Sequence, residues 1–227
     1  MRLLLIRHGQ TIANDQGRWQ GHTDTPLTGL GERQAQCLAT ALAGERDQDP
    51  AGWEDPVLYA SSLGRAQATA ERLARALALP VISRDALREY DVGIFSGKSR
   101  AEIEAGHPEI ARHWQRHRDW SVVPGAEPLA KRVRRGEQMI GELLATHADH
   151  QTILCVTHGG FLQYLIAAVL GTRRVWGFRA GNTAVFEFTL TRAGHTDDCR
   201  SESGLSPYEC CIQRFNDTAH LVSLTAS

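Results

Sequence analysis

Two short stretches of the 227-residue chain set a histidine beside groups suited to holding an anion. Arg7, His8 and Gly9 open the segment RHGQT, and Thr157, His158, Gly159 and Gly160 form the second. An imidazole attacks or carries a proton near neutral pH, and a neighbouring guanidinium binds anions through a planar fork of N–H donors. The glycines leave space for a ligand to approach the backbone. Either stretch alone is weak, because a lone histidine more often bonds quietly to its surroundings than reacts. What gives both weight is position, since each directly follows a short apolar run.

Those runs are residues 2–6 (RLLLI) and 152–156 (TILCV), and 57–60 (VLYA) repeats the pattern; all three read as buried strands. Helical spacing lies between them. Thr28 caps a helix with Ala35, Leu38 and Leu42 on its apolar side and Gly44 as its stop, and residues 63–78 repeat the pattern through Ala66, Ala70, Leu73 and Leu77 as far as Pro80. Further helices fit 128–147 and 160–170. This alternation predicts one α/β domain over residues 1–227, a three-layer α/β/α sandwich around a mostly parallel central sheet. Ligands of open sheets sit beyond the carboxyl ends of the strands. If the strands at 2–6 and 152–156 are neighbours, His8 and His158 therefore face one crevice.

Between 92 and 125 the alternation lapses. Ser99 with Glu102 makes a capping box and Pro108 suits the first turn of another helix, which predicts a small helical insertion over the crevice. Residues 191–214 read as a polar, irregular excursion before the apolar run Ala219–Leu224.

The composition, 42% hydrophobic and 22% charged, is that of a soluble globular protein, and the formal net charge of −1 offers no basic field for nucleic acid or anionic membrane. Any anion site must be local. Residues 161–170 (FLQYLIAAVL) are too short to span a bilayer and Leu3–Ile6 is too short for a signal peptide, so a cytoplasmic protein is expected. Of the five cysteines, Cys37 and Cys155 fall in a helix and a core strand. Cys199, Cys210 and Cys211 read as unpaired surface thiols, with disulfide pairing or metal binding as the alternatives.

The motifs RHGQT (7–11), PLTGLGERQA (26–35), SSLGRAQATA (61–70), LREYDVGIFSG (87–97), PGAE (124–127) and VTHGG (156–160), in this order, resemble the histidine phosphatase superfamily, which includes the cofactor-dependent phosphoglycerate mutases. The resemblance covers nearly the whole chain. It implies that His8 is the nucleophile, that Arg7, Arg65 and His158 bind the phosphoryl group, and that Glu89 is the proton donor. Asn14 falls where the family has an asparagine lining the phosphate pocket; Gln20, Gly21 and Gly159 are the further expected binding positions. No metal or organic cofactor is implied, and the partner is a small phosphomonoester.

The chemistry asks for these types. A phosphate monoester is dianionic near neutral pH, so a neutral imidazole approaches it without the repulsion a carboxylate or thiolate would meet. One ring nitrogen attacks in line, while the other holds its proton against an acceptor, such as a backbone carbonyl just after His8. Guanidinium forks supply donors to the equatorial oxygens, and Glu89 protonates the leaving alkoxide and later activates water. Asp91 is the nearby alternative, ranked as structural.

Rival motifs are weaker. GIFSGKS (93–99) has three residues between its glycines where a nucleotide phosphate loop has four. His113 and His117 lack a third metal ligand at suitable spacing, and Lys131, Arg132, Arg134 and Arg135 read as a charged helix face balanced by Glu127, Glu137 and Glu142. Within the family, glycolytic mutases carry a tyrosine three residues after the catalytic glutamate and paired arginines in a longer insertion. Here Val92 stands at that position and Arg112, Arg116 and Arg118 are not adjacent, while Gln20 and Gly21 resemble the phosphatase branch, so hydrolysis is favoured. A non-catalytic binding protein would have lost a nucleophile, clamp or acid, and all are present. Substrate choice is expected in residues 92–125, with Phe95, Trp114 and Trp120 as apolar walls and His107, His113 or the arginines reaching polar groups. An exposed strand edge would permit a homodimer.

Overall fold

The apolar run after Met1 becomes the strand to which the site is attached. The computed structural model describes residues 1–175, 177–192 and 208–225. Its strands are β1 (Arg2–Arg7), β2 (Val57–Ser61), β3 (Val81–Arg84), β4 (Thr152–Thr157), β5 (Val185–Arg192) and β6 (Tyr208–Asp217). They form one sheet in the order β3-β2-β4-β1-β5-β6. Pairing is parallel from β3 through β2 and β4 to β1, and antiparallel between β1 and β5 and between β5 and β6. The sheet is thus mostly parallel, as expected.

Period-two alternation divides the core into two layers. Leu4 and Ile6 of β1 and Leu154 and Val156 of β4 pack on Leu38 and Leu42 of α2 (Gly29–Gln48) and Ala66, Ala70 and Leu73 of α3 (Gly64–Leu77). The α1 turn (Ile12–Asp15) precedes these helices. Leu3, Leu5, Ile153 and Cys155 face the other way, toward Met139, Ile140 and Leu143 of α6 (Leu129–Thr146) and Leu165 of α7 (Leu162–Val169). Every residue of β4 is buried, which is why it reads as a continuous apolar run. The insertion holds α4 (Arg100–Gly106), started by the Ser99/Glu102 capping box, and α5 (Pro108–His117), with Pro108 in its first turn. The C-terminal apolar run becomes a 3-10 turn (Ala219–Leu221) and α8 (Val222–Thr225).

Four expectations are corrected. Gly44 does not stop α2, which runs on to Gln48 because its last turns are anchored: Arg46 donates to the Leu77 carbonyl at 2.7 Å, and Glu45 pairs with Arg2 and Arg214. Residues 208–214 are not irregular; they belong to β6, a half-exposed edge strand whose polar residues suit a sheet edge. Cys210 and Cys211 lie on it as free thiols, while Cys199 lies outside the described residues. Only half of the basic cluster of α6 is a solvated face: Lys131 and Arg134 are exposed, but Arg132 is fully buried against the Tyr90 and Trp120 rings, and Arg135 forms an ion pair with the buried Glu127 at 3.1 Å. Phe95 is likewise core, only 1% exposed, and is no substrate wall. Trp114 packs edge-on against Trp19 and Phe95, and Trp120 edge-on against Tyr90.

Candidate active site

His8 is the first residue beyond β1. Its N–H donates to the Thr157 carbonyl at 3.0 Å, and the register that sets Arg7 opposite Thr157 brings His8 and His158 out of adjacent strands, their ring centroids 5.1 Å apart. Nδ1 of His8 lies 2.7 Å from the Gly9 carbonyl oxygen. A carbonyl can only accept, so Nδ1 carries the proton and Nε2 keeps its lone pair. Burial first, then the charges of Arg65 and Arg7, hold the His8 pKa well below 6.5, with the Gly9 bond opposing. The ring is neutral at pH 7.

Arg65 enters from the start of α3, after β2, and is 2% exposed. Its Nη1 donates to the Thr23 carbonyl at 2.9 Å and to Asp24 Oδ1 at 3.0 Å, its Nη2 to the Gly21 carbonyl at 2.9 Å, and its Nε to His158 Nδ1 at 3.1 Å. Of the guanidinium's N–H bonds, one on Nη2 is left uncommitted. Arg7 is freer: Nη1 donates to the Ala180 carbonyl at 2.7 Å, while Nε is buried with no partner. Burial lowers the Arg7 pKa to about 10, with Glu89 opposing and Arg179 and Arg65 adding, so it remains a cation.

His158 lies behind Arg65. Because Nδ1 accepts from Arg65, the ring proton sits on Nε2, which lies 2.7 Å from Ser61 Oγ. Both nitrogens are engaged within the protein, and the ring, its pKa also held well below 6.5 by burial first, braces Arg65. Gln20 and Gly21 likewise shape the site from behind. The Gln20 amide is held at both ends, by Thr11 Oγ1 at 2.9 Å and Thr25 Oγ1 at 3.1 Å. Gly21, at φ +53°, turns its carbonyl to Arg65. Gly159 gives its space to Arg7, whose Nε would lie 3.1 Å from an added Cβ.

Glu89 stands opposite, half-buried. Its Oε1 accepts from the Tyr90 N–H at 3.1 Å and its Oε2 from the Gly160 N–H at 2.9 Å. Asp91 Oδ1 accepts from the Gly93 N–H at 2.8 Å and so makes a turn. Asn14 Oδ1 accepts from the Thr11 N–H at 3.2 Å and from Asn182 Nδ2 at 3.3 Å, which leaves its own Nδ2 as an uncommitted donor.

The sequence profile of the histidine phosphatase superfamily (branch 1) matches residues 3–198. The chain belongs to that superfamily. Among histidine phosphatases it is 31% identical over 186 residues to phosphoserine phosphatase 1 of Hydrogenobacter thermophilus, covering 81% of this chain and 84% of that one. It is 33% identical over 177 residues to a glucosyl-3-phosphoglycerate phosphatase of Mycobacterium tuberculosis, covering 74% and 75%. The structure of the α-ribazole phosphatase from Shigella flexneri superposes with a TM-score of 0.75 at 28% identity, over 96% of this chain and 97% of that one. The chain is an enzyme of the histidine phosphatase type, a phosphomonoester hydrolase.

Sequence reasoning missed several residues of this histidine phosphatase site. Ser61 and Asp24 brace His158 and Arg65. Thr69 Oγ1 accepts from the Gly9 N–H at 3.0 Å and donates to the Arg65 carbonyl at 2.9 Å, tying the loop after His8 to α3; its place four residues after Arg65 was the available signal. Asn182 Nδ2 and the Thr183 N–H both donate to the His8 carbonyl, at 3.2 and 3.3 Å, and Thr183 does so at φ +56°, a strained conformation for a β-branched residue. Nothing in the spacing marks that turn. The His113 and His117 rings lie 4.7 Å apart at a 46° tilt, and His113 pairs with Asp119 at 3.5 Å. Among the described residues no group of three or more metal-binding side chains could hold an ion, and no helix is long and apolar enough to cross a membrane.

Proposed function

We propose that the protein hydrolyses a small phosphorylated metabolite in two steps through phosphohistidine at His8. The observation that carries this reading is the His8 tautomer: a proton held on Nδ1 by the Gly9 carbonyl and a free lone pair on Nε2, beside the cations Arg7 and Arg65. In the first step Nε2 attacks phosphorus, the ester P–O bond breaks, and Glu89 in its acid form gives its proton to the leaving oxygen. In the second, Glu89 as carboxylate takes a proton from water, whose oxygen attacks phosphorus as the N–P bond breaks. The free N–H groups of Arg7, the remaining one on Arg65 and Nδ2 of Asn14 supply donors to the equatorial oxygens. Proton transfer of this kind contributes about 10² to 10⁴ in rate.

The reading includes a cytoplasmic location, which the free thiols of Cys37, Cys155, Cys210 and Cys211 support. It also includes a homodimer along the β6 edge, where Ile212 and Phe215 are exposed; sedimentation tests that part. The main test is phosphate release, with chelator present, from p-nitrophenyl phosphate, phosphoserine and phosphorylated sugar acids, against His8→Ala. Release abolished by the substitution supports the reading, and release that survives it overturns it. Interconversion of phosphoglycerates without release would make the protein a mutase.

A further inference from the structure

The segment PLTGLGERQA contributes no group to the chemistry above, yet its helix touches the nucleophile's support. Gln34, half-buried in the second turn of α2, accepts from the Gln10 N–H through Oε1 at 2.9 Å. That N–H belongs to the peptide unit whose carbonyl is Gly9 O, the group 2.7 Å from His8 Nδ1. In a trans peptide the C=O and N–H point in opposite directions, so fixing one end fixes the other. Gln10 is held at its far side as well, where its carbonyl accepts from the Thr28 N–H at 2.9 Å. The close approach needs glycine on both sides: a Cβ on Gly9 would lie 2.6 Å from the Gly31 carbonyl oxygen, and one on Gly31 would overlap the Gln10 carbonyl.

We infer that Gln34 is a positioning residue for the nucleophile: through the Gly9–Gln10 peptide it holds the Gly9 carbonyl against His8 Nδ1 and so keeps the attacking lone pair on Nε2. Gly9 is conformationally permissive, so this peptide needs an outside restraint. The bond to Gln34 also polarises the peptide and strengthens its carbonyl as an acceptor. With the acceptor gone, the carbonyl can turn away and the ring can move its proton to Nε2, the tautomer that cannot attack. The inference rests on His8 as nucleophile.

Gln34→Leu removes the acceptor at nearly constant volume, and Gln34→Glu keeps it. Three quantities are read: the single-turnover rate of phosphoryl transfer to the enzyme, the inhibition constant of inorganic phosphate, and the His8 tautomer by nitrogen NMR of ¹⁵N-histidine-labelled protein. For Gln34→Leu the transfer rate falls about tenfold, as loss of one such hydrogen bond warrants. The phosphate constant stays within about twofold, because Arg7 and Arg65 are untouched, and the His8 resonances move toward the Nε2–H form. Gln34→Glu restores the rate to within about threefold. An unchanged rate or tautomer, a phosphate constant that worsens in step with the rate, or a glutamate variant as slow as the leucine one overturns the inference. Should Gln34→Leu fail to fold, Gln34→Asn, whose acceptor is one methylene short, carries the same measurements and the same criteria. Failure of the nucleophile assignment is separately visible, as phosphate release that survives His8→Ala.

Discussion

Replacing Gly160 by alanine tests the assignment of Glu89 without substituting Glu89 itself. A Cβ at position 160 would lie 2.8 Å from Glu89 Oε1, 3.0 Å from Oε2 and 2.6 Å from Tyr90 Cε1, against about 3.4 Å for ordinary contact. The Tyr90 ring is held by Arg132, Tyr164 and Trp120, so its 2.6 Å contact is relieved by a shift of the Gly160 backbone, while the Glu89 carboxylate is itself able to give. It must retreat by roughly 0.6 Å, which stretches its 2.9 Å bond from the Gly160 N–H. Overpacking of this kind lowers stability by about 1–3 kcal/mol, and a misplacement near 1 Å costs on the order of 10²-fold in rate. The expected loss in kcat/KM is therefore about 10- to 100-fold for an alkyl phosphomonoester, whose leaving oxygen needs a proton. For p-nitrophenyl phosphate, whose leaving group departs readily as an anion, it is under about threefold. Rates on both substrates would be taken well below the variant's melting temperature. Equal losses on the two would refute the reasoning, since they would place the damage in phosphate binding or attack rather than in proton delivery.

Three further outcomes follow from contacts elsewhere. Arg135→Met leaves the buried carboxylate of Glu127 without its cation and should destabilise the fold by about 3–5 kcal/mol in urea titration, so a change under 1 kcal/mol would contradict the pairing. Stability should fall as pH drops below 6.5, because His8 and His158 are held neutral in the fold while the unfolded chain takes up their protons, at up to about 1.4 kcal/mol per pH unit for each ring; urea midpoints at pH 7 and 5.5 should show a flatter dependence in His8→Asn, and an identical one would count against a neutral buried His8. Inorganic phosphate at a hundred times its dissociation constant should raise unfolding free energy by about 2.7 kcal/mol at pH 7.5, an increment absent at the same phosphate concentration from a variant carrying Arg7→Gln and Arg65→Gln; retention by that variant would move the anion site elsewhere.

The parts legible in the sequence are those where one residue's type carries both a local and a tertiary requirement. Leu3–Ile6 and Ile153–Val156 had to be buried strands because nothing else buries four consecutive apolar residues so briefly, and their turns then had to deliver His8 and His158 to one edge. Thr28, the Ser99/Glu102 box and Pro108 announced helix starts through bonds made within a few residues. Edge strands β3 and β6 gave no such signal, because none of their residues is fully buried and Ile82, Ile212 and Phe215 are exposed, so no buried apolar run marks either one. The same limit hid the second tier of the site. Arg65 could be named as a clamp, but that it spends most of its donors on Thr23, Asp24, Gly21 and His158 depends on a loop some forty residues earlier. The resemblance implies His158 as a phosphoryl ligand, and only the geometry shows Ser61 and Arg65 at its two nitrogens.

That second tier gives the site its electrostatic character. Arg65 lowers the pKa of both Arg7 and His8, and Arg179 and Arg88 add their fields to Arg7 and Arg65 in turn, in a protein whose formal net charge is only −1. Buried cations normally sit beside carboxylates. Here Asp24 stands behind Arg65, bonded to the edge that faces away from its free N–H, and Glu89 spends both oxygens on backbone N–H groups. Glu89 offsets part of the charge of Arg7 and Arg65, and an arriving phosphate dianion would supply further countercharge. The field that draws the substrate also keeps His8 unprotonated, since a second proton would add a cation to a group of cations. The arginines that hold an anion thus also reinforce what burial does first, which is to keep the His8 ring neutral.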